Sequence, residues 1–233
     1  SLVRKYNCDI CFTPMIVATD FLRSVKARDS EFTTNELQFA AHDAQTLADA
    51  ACVVAPFSDG VDLNCGCPQR IHNNLRRTVD LCQKAESAGV SWITVHGRTT
   101  EERHQPVHYD AIKTIKDSVS VPVIANGDIK YLRDVESTHQ LTGVDGVMAA
   151  RGLLANPAMF AGYEDTPLQC IWDWVDISIE QGTPFTCFHH HLIYMLERVS
   201  SQPERKVFNS LSSTSSVIDY LQNTYGTVQD LGT

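Results

Sequence analysis

The first two-thirds of the chain alternate between short strand-like runs and longer helix-like runs, and this alternation restricts the fold most. On one predicted helix, Leu75, Val79, Cys82 and Ala85 fall on a single face. Alternating β and α units of this length predict a parallel sheet, either a barrel or a doubly wound layer. The predicted strands are residues 9–16, 37–41, 60–64, 92–96, 122–125 and 144–149, and the predicted helices between them are 43–54, 73–87, 109–117 and 132–140.

The pattern changes after about Pro157, where helix-like runs follow one another with no strand between them. Residues 172–180, 188–199 and 204–225 are predicted as these helices. We therefore predict two domains, with the α/β domain at residues 1–160 and a small all-helical domain at 161–233.

A candidate reactive thiol follows the third predicted strand. This strand ends at Asn64 and continues into Cys65-Gly66-Cys67-Pro68. Ligands and chemistry in parallel α/β folds sit at the carboxyl ends of the strands. Buried cysteines are common and mostly inert. Two cysteines that flank a glycine in a strand-end loop nevertheless favour a functional thiol.

Glycine-containing polar turns end three of the predicted strands. They are His96-Gly97-Arg98, Asn126-Gly127-Asp128 and Arg151-Gly152. Glycine lets the backbone approach a ligand closely, and the amides of such turns bind anions. A single turn of this kind is an ordinary loop, but three in successive units predict a phosphate site, which barrels build in this position.

Charge and hydropathy exclude some classes of function. The chain has 233 residues, a net charge of −9 and a pI near 5.4, which argues against nucleic-acid binding through bulk charge but leaves a local basic face open. The sequence contains no run of 18 apolar residues, so we expect no membrane span. Nothing at the N-terminus resembles a signal peptide. We expect a cytoplasmic protein whose eight cysteines are reduced.

Two tempting metal motifs have simpler interpretations. Cys8-Asp-Ile-Cys11 lacks the second pair that a zinc site needs and lies in an apolar pattern, which favours packing. His189-His190-His191 would point in different directions on a helix, which favours a packed or solvated helix start. We predict no metal site.

Four motifs together give the sequence a resemblance to a known family. They are residues 63–69 (LNCGCPQ), 94–99 (TVHGRT), 124–129 (IANGDI) and 150–152 (ARG). In this order they resemble the tRNA dihydrouridine synthases. Residues 26–32 (KARDSEF) and 205–211 (RKVFNSL) are most similar to the eukaryotic 4-like subfamily, which modifies positions 20a and 20b of tRNA.

The resemblance implies a TIM (β/α)8-type barrel that holds FMN, followed by a helical domain that grips tRNA. It implies reduction of the C5–C6 double bond of a D-loop uridine: NADPH reduces the flavin, a hydride passes to C6, and Cys67 supplies the proton to C5. Cys65 would be a packed neighbour. Carried over by motif, the cofactor-binding residues are Gln38, Asn64, His96, Asn126, Gly127, Asp128, Arg151 and Gly152.

The sequence departs from the family pattern at two places. The family's first strand would lie before Ser1, and Arg70 runs directly into Ile71, although the family has a glycine-rich loop, a helix and a strand between them. A flavin-contacting lysine belongs to the missing strand. We therefore expect an incomplete barrel with about six recognisable strands. If Arg70 and Ile71 are contiguous in the native protein, we expect weak or no FMN binding and little activity.

The sequence is also compatible with other origins and functions. Two origins explain the departures from the family pattern equally well. The chain is either a splice or gene-model variant, or it is joined across missing segments. Another flavin-binding barrel enzyme, such as a dihydroorotate dehydrogenase, also places an acid/base residue over the flavin ring. The helical tail and the position of the Gly-Cys-Pro motif argue against this alternative. The last alternative is a catalytically dead fragment that keeps contacts with RNA or protein.

Overall fold

The structure is a computed structural model that describes residues 1–12, 16–31, 36–40, 44–58, 60–63, 75–87, 89–98, 102 and 105–226. The described residues form two three-stranded parallel sheets and eleven α-helices. The predicted α/β class with parallel strands is therefore confirmed.

The first sheet has the order β1-β2-β3, with β1 at Ile16–Val17, β2 at Glu36–Ala40 and β3 at Gly60–Leu63. Leu37 and Phe39 of β2 are fully buried and pack with Ile16 and Phe21, so one face of this sheet carries its core. The helices α1 (Ala18–Arg23), α2 (Val25–Glu31) and α3 (Ala44–Val54) connect these strands.

The second sheet has the order β4-β5-β6, with β4 at Ile93–His96, β5 at Val123–Asn126 and β6 at Gly146–Met148. Its core joins Val95, Val123 and Ala125 to Ile112 and Cys82 on the neighbouring helices. Cys82 lies on α4 (Leu75–Ser87) and Ile112 on α5 (Tyr109–Lys116), and α6 (Leu132–Thr142) follows β5. The apolar face predicted on α4 is confirmed at Cys82, which is buried.

The C-terminal part is helical, as its sequence predicts. It contains α7 (Arg151–Ala155), α8 (Leu168–Glu180), α9 (Phe185–Leu196), α10 (Gln202–Asn209) and α11 (Thr214–Tyr225). Its core includes Ile171, Phe188, Leu192, Phe208 and Leu221, all nearly inaccessible to solvent.

The chain divides into two compact units. One unit comprises residues 10–128 and 134–148 and contains both sheets; the other comprises residues 1–9, 129–133 and 149–233. The predicted functional division after residue 160 stays a prediction.

The structure corrects the first predicted strand. Residues 9–12 have no regular structure, and the described strand β1 is Ile16–Val17. The strand prediction also overlooked the helix pair α1 and α2 that follows. Ser24 lies between these helices, and its Oγ accepts the Ala27 N–H at 3.1 Å. Arg28 donates to the carbonyls of Phe21 and Leu22, both at 2.9 Å, and so satisfies the end of α1.

The predicted helix at 204–225 is two helices, α10 and α11. Ser201 and Glu204 form a capping box that starts α10. Ser213 caps α11 by accepting the Ser216 N–H at 3.2 Å. Serine favours such caps because its hydroxyl replaces the missing backbone acceptor. The cap at Ser213 therefore starts a new helix inside the apolar pattern.

The histidine tract packs within α9, as predicted. His189 Nε2 lies 3.0 Å from the Phe208 carbonyl oxygen, and its ring stacks on Phe185. Burial, and then the neighbouring His190, lower the pKa of His191. Among the described residues no group of three potential ligands is placed to hold a metal, and none of the six described cysteines is in a disulfide. No described helix is long and apolar enough to cross a membrane.

Candidate active site

Two predicted site residues meet at the carboxyl ends of β4 and β5. His96 and Asn126 are register partners in the parallel ladder, so both end their strands at one sheet edge. The Gly97 N–H donates to the Asn126 carbonyl at 3.0 Å, and the His108 N–H donates to the Gly97 carbonyl at 2.9 Å. This sheet edge therefore carries the imidazole of His96 and the side-chain amide of Asn126 next to hydrogen-bonded backbone.

Close packing explains the glycine after each of these strands. A Cβ on Gly97 would lie 2.5 Å from Val107 Cγ1, and a Cβ on Gly127 would lie 3.1 Å from Val107 Cγ2. Gly127 also has a φ of +141°, which a side chain rarely adopts. The two glycines let Val107 pack against both turns.

An ion pair that the sequence analysis missed joins the two turns. Arg98, whose side chain is 7% exposed, donates to the carboxylate of Asp128 and, at 2.5 Å, to the Gln105 carbonyl oxygen. Asp128 has a φ of +53°, a left-handed conformation that Asp tolerates better than most residues. The buried cation is therefore paired, as burial of a charge requires.

A signal for this pair was present in the sequence. Arg98 lies two residues after His96, and Asp128 lies two residues after Asn126. Since His96 and Asn126 are register partners, equal offsets bring the opposite charges to the same edge.

Gln38 lies in the middle of β2, where its neighbours Leu37 and Phe39 are fully buried. Successive side chains on a strand alternate between faces, so Gln38 points away from that core. It is opposite Asp62 in the register of β2 and β3. Asn64 and Cys67, which would follow β3, lie outside the described residues.

Arg151 and Gly152 begin α7 and belong to the other compact unit. A Cβ on Gly152 would overlap the Ile129 carbonyl oxygen and lie 3.1 Å from Met159 Sδ. Glycine at 152 is therefore required by packing against the segment at 129–133. Arg151 is exposed.

The described donors suit an anionic cofactor. The imidazole of His96, the amide of Asn126 and the glycine turn after β5 are the kinds of groups that hold phosphate or a polar ring. The Asp128 carboxylate would repel a phosphate by itself, but its pairing with Arg98 offsets that charge. The residues of this edge therefore fit the flavin that the resemblance implies.

Known proteins are similar to this chain over almost its whole length. The profile of the family described as Dihydrouridine synthase (Dus) matches residues 1–75 and 70–224. A protein of Mus musculus named tRNA-dihydrouridine(20a/20b) synthase (NAD(P)+)-like is 58% identical, over 97% of this chain and 84% of its own. A human protein of the same name is 58% identical over 97% and 86%. A tRNA-dihydrouridine(20a/20b) synthase of Schizosaccharomyces pombe is 38% identical over 94% and 81%.

The alignment with a relative is longer than this chain. The alignment with the mouse protein extends over 273 positions, whereas this chain has 233 residues, so the relative carries residues with no counterpart here. The two matched segments of the family profile overlap at residues 70–75, where Arg70 meets Ile71. Together with the strand-end residues described above, these matches show that the chain belongs to the dihydrouridine synthase family and is similar to its 20a/20b members.

Proposed function

We propose that this chain is an FMN- and NADPH-dependent oxidoreductase that reduces uridine to 5,6-dihydrouridine in the D-loop of tRNA, at positions 20a and 20b. The observation that carries the proposal is the 58% identity to relatives named for this activity over 97% of the chain. The paired strand ends at His96 and Asn126 support it, because they offer donors where a barrel holds its cofactor.

We assign the cofactor to the residues that the family motifs identify. Gln38, Asn64 and His96 would contact the flavin ring or its edge, and the phosphate would be held by Asn126, Gly127, Asp128, Arg151 and Gly152. Arginine suits this role because its forked donors carry a permanent charge. When bound, FMN would supply the hydride for C6, after its reduction by NADPH.

We assign the proton to Cys67. Addition of a hydride at C6 places an electron pair at C5, and the Cys67 thiol would donate its proton there and become a thiolate that solvent reprotonates. A free thiol with a pKa near 8.5 is protonated at pH 7, so the acid is available. Cys65 would pack beside it. The target base would be turned out of its stack to reach the thiol.

We further propose that residues 1–160 are the catalytic domain and residues 161–233 a helical tRNA-binding domain. The succession α8 to α11, with no strand between them in the described part of the chain, supports the second domain. A cytoplasmic location is part of the same proposal, and imaging of a tagged copy in cells would test it.

A second candidate function follows from the junction at Arg70 and Ile71. We propose that the barrel is incomplete, with about six recognisable strands, and lacks a helix, a strand and the lysine that the family carries there. The length of the alignments supports this proposal. An open barrel exposes unpaired strand edges, so flavin binding would be weak and the chain a catalytically impaired variant.

Two measurements test these proposals. Dihydrouridine at positions 20a and 20b should be lost from tRNA of cells that lack the protein and should return when the chain is re-expressed. Flavin absorbance of the purified chain then separates the candidates. Stoichiometric FMN would contradict the impaired variant, while unchanged dihydrouridine in the deleted cells would contradict the enzyme.

A further inference from the structure

Two guanidinium groups lie against a single tyrosine ring in the unit of residues 1–9, 129–133 and 149–233. Arg133 Cζ is 3.9 Å and Arg198 Cζ is 4.7 Å from the ring centroid of Tyr131. Tyr131 and Arg133 lie around the start of α6, and Arg198 follows α9. Cation–π attraction to one ring holds two like charges near each other, although they repel.

The carboxylate of Glu164 lies against this pair of cations. Arg133 Nη1 donates to both Glu164 carboxylate oxygens, at 2.5 and 2.7 Å. Arg198 Nη1 donates to the backbone carbonyl of Glu164 at 3.5 Å. The two guanidiniums and the Glu164 carboxylate therefore sum to one positive charge.

The ion pair in this group is accessible to a competing anion. The side chains of Arg133 and Glu164 are 57% and 64% exposed. An exposed pair is only weakly stabilising, since water and salt screen it. A phosphodiester, with its two free oxygens, can therefore replace Glu164 on Arg133 at little cost.

We propose that Arg133 and Arg198, held side by side on Tyr131, form a binding surface for backbone phosphates of tRNA. The proposal rests on the proposed function, which makes tRNA the substrate. Arginine is the side chain best suited to phosphate because its donors form a planar fork. In a chain with a net charge of −9, RNA affinity has to come from such local groups of cations. Tyr131 fixes the guanidiniums before RNA arrives, and Glu164 occupies Arg133 until then.

The test is the affinity of the full chain for unmodified tRNA, measured by fluorescence anisotropy over a series of salt concentrations. The double variant Arg133→Ala/Arg198→Ala should bind at least tenfold more weakly. The slope of log affinity against log salt should become shallower by about 0.7–0.9 for each phosphate that the protein no longer neutralises. Tyr131→Leu should weaken binding while leaving the slope unchanged, because it removes the support and keeps both charges.

Matched variants separate this surface from bulk charge. Glu164→Gln should bind tRNA several-fold more tightly, whereas Asp165→Asn, the same charge change one residue further on, should have a smaller effect. Lys113→Ala removes an equally exposed ion-paired cation from the other unit, where the side chain is 53% exposed, and should change little.

Three results would contradict the proposal that this surface binds tRNA. These are unchanged affinity and slope in the double variant, an equal loss in Lys113→Ala, and no tRNA binding by the unsubstituted chain. Failure of the proposed function is a different observation: a chain that binds tRNA through these arginines but forms no dihydrouridine keeps the surface and contradicts the activity.

Discussion

Arg98 donates to the carboxylate of Asp128 across the ends of two neighbouring parallel strands, and the same guanidinium reaches the Gln105 carbonyl oxygen. The pair is asymmetric, because the Arg98 side chain is 7% exposed and that of Asp128 is 34% exposed. It fixes the turn that follows Asn126, where we place the cofactor phosphate. The strand-end turns are thus held together by charge as well as by the backbone ladder.

Asp128→Asn should lower the free energy of unfolding by about 3 kcal/mol, because it takes the Asp128 carboxylate away from a buried guanidinium. Asn tolerates the left-handed backbone at this position, so the change tests the charge and not the conformation. Urea denaturation measures the effect. Arg98→Met/Asp128→Asn should recover part of the loss, since no buried charge remains. A loss under about 0.5 kcal/mol in Asp128→Asn would show that the pair is not stabilising.

Gly152→Ala should destabilise the fold by about 1–3 kcal/mol, because its Cβ would overlap the Ile129 carbonyl oxygen, which is backbone and yields little. Gly146→Ala is the matched control. Its Cβ would lie 3.7 Å from Ile124 Cγ1, an ordinary contact, so its thermal midpoint should stay close to that of the original chain. Equal thermal midpoints for the two variants would contradict the close contact between residue 152 and the Ile129 carbonyl oxygen.

Asp173 should make stability depend on acid pH. Burial by itself raises the pKa of Asp173, but hydrogen bonds from Lys5 and Tyr6, with a smaller one from Gln169, outweigh it and hold the pKa below its usual value. A carboxylate with a lowered folded pKa stabilises the protein above its unfolded pKa, and this stability is lost as the pH falls through the folded pKa.

Urea unfolding between pH 2.5 and 5 checks this dependence. Asp173→Asn should flatten the stability profile below about pH 4, where the unfolded carboxyl titrates. Asp176→Asn is the control, because Asp176 lies on the same helix α8 but is exposed. Identical profiles for the original chain and Asp173→Asn would contradict the assignment.

Cys170 should resist alkylation in the folded protein. It is fully buried, and burial raises the pKa of its thiol to about 12, with the Tyr6 hydrogen bond opposing this shift and the charge of Asp173 adding to it. Cys52 and Cys187 are exposed. Iodoacetamide at pH 8.5 should therefore modify those two first, because the thiolate is the reactive form.

Mass spectrometry of the labelled peptides gives the order of modification. After denaturation, the three cysteines should react at similar rates. Labelling of Cys170 as fast as Cys187 in the folded chain would show that the core around α8 is open.

The sequence predicted those parts of the fold that depend on local periodicity and strand ends. Five of the six predicted strands agree with the structure within about two residues, and the shared edge of His96 and Asn126 follows from parallel pairing. The pair of Arg98 and Asp128 was missed because charges 30 residues apart are matched only by the register. The break before α11 was missed because the Ser213 cap interrupts an otherwise continuous apolar pattern.

The roles of the two cysteines test the proposed chemistry most directly. The purified chain, with FMN in excess to offset weak binding, is incubated with NADPH and tRNA lacking dihydrouridine, and the product nucleoside is quantified by mass spectrometry. We predict dihydrouridine from the original chain and from Cys65→Ala, and none from Cys67→Ala, with the same flavin content in all three. Formation of dihydrouridine by Cys67→Ala would contradict the assignment of the proton to Cys67. So would an original chain that forms no more dihydrouridine than this variant.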